Sequence, residues 1–123
     1  MTSKDFRRIA LGMEGAVEAS HMDHPDFRVK GTIFATIHTD NAQGMVKLTP
    51  EQQERFIREN PKMFHPAAGA WGRGGSTMVT FAEAKDDVVG EAMTLAWQNL
   101  ARAAKNESGI RRAKAARIVR SRR

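Results

Sequence analysis

The clearest chemistry in this sequence belongs to the arginine and lysine residues near its C-terminal end. Residues 105–123 contain eight basic side chains and one acidic side chain, which gives a net charge of +7. A segment of this kind without aromatic residues binds phosphates through charge and bidentate guanidinium contacts, and it does not distinguish bases. We therefore predict phosphate contacts from Arg111, Arg112, Lys114, Arg117 and Arg120. The alternative is a solubilising or incidental tail.

The rest of the chain is almost neutral. Residues 1–104 contain 12 basic and 13 acidic residues, a net charge of −1, so the attraction for a polyanion lies mainly in the C-terminal segment. A length of 123 residues leaves room for one domain and one tail. We predict a domain over residues 1–104 and a flexible basic tail over residues 105–123.

A second group of basic residues is centred on the stretch HPDFRVKGTIFATIHT, residues 24–39. Apolar and polar residues alternate on both sides of Lys30-Gly31, and this pattern predicts a β-hairpin with a tight turn. Arg28, Lys30 and Lys47 are then expected on one sheet face, where they would follow a nucleic-acid backbone. An ordinary solvated face is the alternative.

Trp71 lies in the glycine-rich stretch AGAWGRGGST, which we interpret as a loop. An exposed Trp71 would offer a stacking platform or a ligand pocket, with Arg73 beside it for a phosphate. The competing interpretation, which we favour, is a ring buried in the core, because buried aromatic residues contribute much of a small domain's stability. The stretch does not match a phosphate-binding loop of the G-x-x-x-x-G-K-[ST] type.

Catalytic and metal-binding patterns are weak. His21 and His24 have Asp23 and Asp26 nearby, but their spacing suits a helix better than a broken strand, so we expect a turn without a metal. Cysteine is absent, which excludes disulfides, thiolate ligands and a cysteine nucleophile. We find no nucleophile elbow and no H-E-x-x-H motif, and a meeting of Glu18, His21 and His38 across strands stays open.

The remaining patterns predict an α+β fold, in which helices pack on one side of a curved antiparallel sheet. We expect a first helix from Thr2 or Ser3, a second capped by Thr49, and a long third helix from Ala84 to Lys105. Trp97 and the region of Met93 are expected in the core. In the hairpin, Phe34 is expected to face away from the core, and the residues expected to face it are Phe27, Val29, Ile33, Ala35 and Ile37.

Five short motifs in this order resemble the MmcQ/YjbR-like family: DFRRIAL, HPDFRVKGTIFATI, LTPEQQ, WGRGGSTMV and an alanine-rich helix containing Ala96-Trp97. The resemblance covers roughly residues 3–104. It implies a CyaY-like or secretion-chaperone-like α+β fold, also described as a double wing. Proteins of this family are commonly labelled DNA-binding, and the resemblance implies a bacterial source.

Two functional hypotheses follow. The first is a non-enzymatic DNA-binding protein that engages phosphates through the hairpin and the Arg-rich tail. The second is a small-ligand or protein-binding module with an incidental tail, which a concave apolar pocket beside Trp71 would favour. For either one we expect no cofactor and no metal. No transmembrane run or signal peptide is apparent, so we expect a cytoplasmic protein, with a monomer favoured.

Overall fold

A six-stranded antiparallel sheet with helices on one side forms the domain, and the structure, a computed structural model, describes residues 1–21 and 23–102. The strands follow the order β1-β2-β3-β4-β6-β5 and are β1 (Val17–His21), β2 (His24–Val29), β3 (Thr32–Ile37), β4 (Gln43–Lys47), β5 (Phe64–Pro66) and β6 (Ser76–Thr80). The helices are α1 (Ser3–Leu11), α2 (Pro50–Glu59), α3 (Gly69–Arg73) and α4, which begins at residue 86 and continues through residue 102. A 3-10 turn, Phe81–Glu83, precedes α4. The α+β class and the curved sheet predicted from the sequence are confirmed.

Capping boxes begin the first two helices. The Thr2 hydroxyl accepts from the backbone N–H of Asp5, whose carboxylate in turn accepts from the backbone N–H of Thr2. Thr49 and Gln52 form the same reciprocal pair at α2, and Pro50 occupies the first helical position. Each box satisfies backbone N–H groups that have no partner inside the helix. The predicted starts of both helices are therefore confirmed.

The predicted hairpin forms between β2 and β3. Val29 pairs with Thr32, and the two intervening residues, Lys30 and Gly31, have φ values of 52° and 80°. Positive φ at both central residues defines the type I′ turn, whose twist matches that of the flanking strands. Gly31 adopts this conformation without steric cost, whereas Lys30 is strained there.

A β-bulge in the hairpin reverses one of the predicted faces. Phe27 pairs with Ala35 but Arg28 pairs with Ile33, so Phe34 is an extra residue between the two pairs. Phe34 is completely buried in the core, and Ile33 shares the opposite face with Arg28. The prediction that Ile33 faces the core and Phe34 faces away is wrong, because strict alternation does not continue through a bulge.

The core lies between the sheet and α1, α2 and α4, and its larger fully buried members include Phe6, Phe27, Phe34, Phe56, Phe64 and Met93. Trp97 packs against this core and remains half-buried, and its Nε1–H donates to the carbonyl oxygen of Glu14 at 2.9 Å. Among the helices of the described residues, none is long and apolar enough to cross a membrane. The predicted tail, residues 105–123, and the phosphate-binding residues assigned to it lie outside the described residues.

Candidate binding site beside Trp71

Trp71 is exposed, which contradicts the favoured prediction that its ring is buried in the core. Its relative exposure is 69%, the largest among the exposed large hydrophobic residues of the described ranges. The glycine-rich stretch is also not simply a loop, since it contains the short helix α3. The site is therefore organised around an aromatic ring that a helix holds at the surface.

Two glycines explain why α3 lies where it does. A Cβ on Gly72 would lie 1.8 Å from the carbonyl oxygen of Ala67, and a Cβ on Gly75 would lie 2.0 Å from that of Leu48. Gly75 also has a φ of 111°, which side chains rarely adopt. Only glycine permits backbone to pack directly on backbone at both points. The position of α3 beside the end of β4 follows from these contacts.

A glutamine of α2 also holds this segment. The Nε2 group of Gln53 donates to the carbonyl oxygens of Gly72 and Ser76, both at 3.0 Å. These two hydrogen bonds connect α2 to α3 and to the start of β6. Hydrogen bonds from one side chain to two elements restrain their relative positions. Trp71 is thus presented on a fixed backbone, although its side chain is in solvent.

A shallow, open pocket of about 450 Å³ lies beside Trp71. Its volume is within the range of roughly 300–1,000 Å³ that is usual for small-molecule sites. Most of its surface is apolar, and the residues that line it come from β4, α2, α3, β6, α4 and their connections: Lys47, Leu48, Thr49, Pro50, Ala70, Trp71, Gly74, Ser76, Asn99 and Leu100. Lys47 is the one charged residue in this set, so the described residues contribute no carboxylate to the lining.

Asn99 supplies the side-chain amide of the pocket. Its Nδ2 group donates to Oε1 of Gln52 at 2.8 Å and to the carbonyl oxygen of Lys47 at 3.4 Å. Its Oδ1 accepts from Nε2 of Gln52 at 3.4 Å, which leaves acceptor capacity on that oxygen. The network fixes the start of α2 against α4. It also places a polar group among apolar walls, as ligand sites generally require.

The predicted basic residues of the hairpin are not equally available to contact a phosphate. Arg28 donates from Nε and from a terminal nitrogen to the two carboxylate oxygens of Asp26, at 2.8 and 2.9 Å. The hydrogen bonds to Asp26 raise the pKa of Arg28 above its ordinary value. Arg28 is therefore already paired with a carboxylate, which a phosphate would have to displace. Lys30 is exposed at the tip of the turn.

Lys47 lies on the same sheet face as Arg28 by register, because Met45 pairs with Thr36 and Thr36 pairs with Asp26. Because β3 lies between their strands, Arg28 and Lys47 are separated by two strand spacings, a distance of about 10 Å across the sheet. Arg73 is exposed at the end of α3, two residues after Trp71. The predicted residues Lys47 and Trp71 thus both line one pocket, and Arg73 follows Trp71 by two residues. The hairpin tip is not part of the pocket lining.

Of the histidines and carboxylates that the sequence left open, Glu18 and His38 make separate contacts in the described part of the structure. Glu18 accepts from Nε of Arg7 at 2.8 Å, whereas the ring of His38 packs edge-on against His24 with 5.6 Å between centroids. Asp40 contacts Nδ1 of His38 at 3.3 Å, and a hydrogen bond from the backbone N–H of Ala42 lowers the pKa of Asp40. The side chain of His21 lies outside the described part of the structure.

Sequence reasoning missed several residues of the site. Asn99 and Leu100 were assigned only to a long amphipathic helix, and Gln53 was assigned no role. For Asn99 the sequence did contain a signal, namely a polar amide side chain close to the apolar face of α4. For Gln53 the sequence contained no signal, because its two acceptors come from residues 19 and 23 positions away.

The fold and this site define a small α+β domain that presents an aromatic pocket at one end of its sheet. A family model described as YjbR matches residues 11–99, and the chain therefore belongs to the YjbR family. No curated protein matches. A crystal structure of the Deinococcus radiodurans protein DR2400, with the family-model domain DUF419, is similar with a TM-score of 0.65 at 20% identity. The match covers 78% of this chain and 75% of that chain, and it shows a shared fold.

Proposed function

We propose that the protein is a non-enzymatic DNA-binding protein that engages the phosphate backbone mainly through its C-terminal basic residues. The observation that carries the proposal is the position in the sequence at which the basic segment begins. Asn99 and Leu100 of α4 line the pocket beside Trp71, and the segment of net charge +7 starts at residue 105, five positions after Leu100. The basic segment thus begins, in the sequence, shortly after residues that line the pocket of the exposed aromatic ring.

The charges of the domain support this assignment of roles. Residues 1–104 have a net charge of −1, so the domain as a whole does not attract a polyanion. Within the hairpin, Arg28 is paired with Asp26, and Lys30 is one exposed charge at the tip. We therefore assign the larger contribution to Arg111, Arg112, Lys114, Arg117 and Arg120. The smaller contribution comes from Arg28, Lys30, Lys47 and Arg73.

A salt titration of duplex binding tests the proposal. The full chain is compared with a variant in which the five basic residues between 111 and 120 are changed to Gln. The matched control is Arg28→Gln with Lys30→Gln, which removes charge from the hairpin only. If about five phosphates are neutralised, the log–log slope of affinity against salt is near −4 to −5. We expect the C-terminal variant to flatten the slope strongly, and the hairpin control to change it by about 1 or less. Absence of salt-dependent binding by the full chain would refute the proposal.

The second candidate is a small-ligand or protein-binding module, and the pocket itself favours it. An exposed Trp71 beside about 450 Å³ of mostly apolar space is the feature that this hypothesis requires. Under this function, changing Arg28 and Lys30 to Glu leaves ligand binding unchanged. In a Trp97→Phe chain Trp71 is the single tryptophan reporter, and its fluorescence then responds to a ligand without any dependence on DNA.

We place the protein in the bacterial cytoplasm and propose that it acts as a monomer. The absence of cysteine suits a reducing compartment. The proposed role requires binding only, with no catalytic step and no cofactor. Sedimentation of the full chain with and without DNA tests the oligomeric state, and a stable dimer without DNA would contradict the proposal.

A further inference from the structure

We propose that the imidazole rings of His24 and His38 form a binding site for a divalent transition-metal ion such as Zn²⁺, with Asp40 as a positioning residue. The site goes beyond the proposed DNA-binding function and does not depend on it. It lies near the start of β4, where the backbone N–H of His38 donates to the carbonyl oxygen of Gln43 at 2.9 Å. The pocket beside Trp71 lies at the other end of that strand.

The sheet places the two histidines side by side. Asp26 in β2 pairs with Thr36 in β3, and two residues towards the start of β2 and the end of β3 His24 lies opposite His38. Opposite residues of neighbouring strands share a face, with Cβ atoms about 4.5–5.5 Å apart. The distance of 5.6 Å between the two ring centroids agrees with this arrangement. Because Phe27, next to Asp26, is in the core, the histidines lie on the face away from the helices, where an ion can reach them from solvent.

The separation of the rings suits two ligands of one ion. A bond of about 2.0–2.1 Å from an imidazole nitrogen to Zn²⁺ places the ring centre roughly 3.2 Å from the ion, so two ligating rings at a near-tetrahedral angle have centres about 5–5.5 Å apart. The observed distance of 5.6 Å is close to that range. The ring planes meet at 67°, and the broad χ2 torsion of histidine allows each ring to turn a nitrogen towards a shared ion.

Asp40 prepares His38 for this role. Oδ1 of Asp40 lies 3.3 Å from Nδ1 of His38, and the same oxygen accepts from the backbone N–H of Ala42 at 2.9 Å. The hydrogen bond from Ala42 lowers the pKa of Asp40, so the carboxylate is ionised at neutral pH. A carboxylate beside one ring nitrogen favours the proton on that nitrogen, which leaves the lone pair of Nε2 for a metal. Carboxylate–histidine–zinc arrangements orient the ligand ring in this way and raise its basicity.

The chemistry of the donors selects the class of ion. Imidazole nitrogen suits Zn²⁺, Ni²⁺ and Cu²⁺, whereas Mg²⁺ and Ca²⁺ prefer oxygen ligands. Among the described side chains, no group of three or more histidines or carboxylates is arranged to hold an ion, so this site offers two protein ligands and leaves further positions to water. On the same face, Asp26 and Arg28 form a pair without net charge. Asp40 therefore makes the surroundings of the histidines favourable for a cation.

Full-length chains without an affinity tag test the inference: wild type, His24→Asn, His38→Asn, Asp40→Asn and the matched control His65→Asn. His65 is an exposed histidine of β5, at the far edge of the sheet. His21, the backbone partner of His24 in β1, is unchanged in all of them. Zn²⁺ binding is measured by calorimetry at neutral pH, with and without excess Mg²⁺. Each replaced side chain is at least partly exposed, so the variants are expected to fold, and circular dichroism verifies this.

We expect wild type to bind one Zn²⁺ ion that excess Mg²⁺ does not displace. Since loss of an outer partner of a metal ligand typically costs about 10–100-fold in affinity, Asp40→Asn should weaken binding by about tenfold, and loss of either ligand, His24 or His38, by at least as much. Asparagine at position 40 can still accept from the backbone N–H of Ala42, so this variant keeps the turn and removes only the charge beside His38. His65→Asn should bind as wild type does.

A Zn²⁺ titration of wild type followed by NMR of the histidine rings provides a measurement that needs no variant. The imidazole signals of His24 and His38 should shift together and saturate at one equivalent, while that of His65 stays constant. The site is refuted if wild type does not bind Zn²⁺, if Mg²⁺ displaces the ion, or if His65→Asn weakens binding as much as His24→Asn does. If His38→Asn and Asp40→Asn lose binding while His24→Asn retains it, the ion is held without His24 and the shared imidazole site is overturned.

Discussion

Replacing Gly72 by alanine should destabilise the domain through the backbone contact that holds α3. The new Cβ would lie 1.8 Å from the carbonyl oxygen of Ala67 and 2.9 Å from its carbonyl carbon. An ordinary C···O contact is about 3.3 Å or more, so the two backbones must separate by roughly 1.5 Å. Both partners are backbone atoms, and no flexible side chain can move aside to relieve the overlap.

The magnitude follows from two terms. Overpacking of a close contact typically costs about 1–3 kcal/mol. A separation of this size also breaks the 3.0 Å hydrogen bond from Gln53 to the carbonyl oxygen of Gly72, which adds about 0.5–1.5 kcal/mol. We therefore expect Gly72→Ala to lower the free energy of unfolding by about 1.5–4.5 kcal/mol. For a domain of this size, that lowers Tm by roughly 6–18 °C.

The assay is urea unfolding followed by circular dichroism, and Gly74→Ala is the matched control. Gly74 belongs to the same motif, has helical φ and ψ values of −80° and −4°, and a Cβ there would meet Ala70 at an ordinary 3.5 Å. We expect this control to be neutral or to stabilise by up to about 1 kcal/mol. If the two variants unfold within about 0.5 kcal/mol of each other, the close-approach argument is refuted.

Three further predictions concern the hairpin and the first helix. Lys30→Asn should stabilise by roughly 0.5–1 kcal/mol in urea unfolding, because asparagine tolerates the φ of 52° better than lysine; a lower midpoint would contradict this. Asp26→Asn should destabilise by about 1–3 kcal/mol, because a buried acceptor of two Arg28 hydrogen bonds loses its charge; unchanged stability would refute the role of the pair. Hydrogen bonds from Thr2 lower the pKa of Asp5 below 3.8. In an acid series, the higher free energy of unfolding of wild type relative to Asp5→Asn should therefore persist above pH 3.8 and disappear as the pH falls through the folded-state pKa. A difference that stays constant with pH would contradict this prediction.

Local patterns with a local physical cause were predictable from the sequence. The capping boxes at Thr2 and Thr49 satisfy backbone donors within three residues of the cap. The turn at Lys30-Gly31 depends on the conformational freedom of glycine and on alternation in the adjoining strands. Each of these features requires only neighbouring residues, so its signal is complete in a short stretch of sequence.

The two faces of the hairpin, in contrast, could not be predicted from neighbouring residues alone. Phe34 and Ile33 exchanged their predicted environments because β3 contains one extra residue relative to β2. Whether a strand bulges is decided by what the displaced side chain packs against, and Phe34 is completely buried among residues from other elements. The register of the sheet is set by the whole core, so alternation within one strand predicts it only up to the bulge.

The glycines around Trp71 were open to two opposite interpretations for a similar reason. A glycine-rich stretch permits a bend that buries a ring, and it equally permits a close backbone contact that leaves the ring outside. Gly72 and Gly75 serve the second purpose, and their contacts are with Ala67 and Leu48. Those contact residues cannot be recognised from the motif itself. A cluster of glycines indicates that the backbone lies close to other atoms, but it does not identify the neighbouring residue.

The exposure of Trp71 has an energetic consequence that supports a binding role. A buried tryptophan removes up to about 150–250 Å² from water, so 69% exposure leaves roughly 3–4 kcal/mol of apolar burial unused. The backbone contacts of Gly72 and the hydrogen bonds of Gln53 hold α3 without using the indole. Stability at this site therefore depends on the backbone contacts and not on the indole. Substitution at Gly72 should therefore destabilise the domain, whereas substitution at the exposed Trp71 should leave it folded.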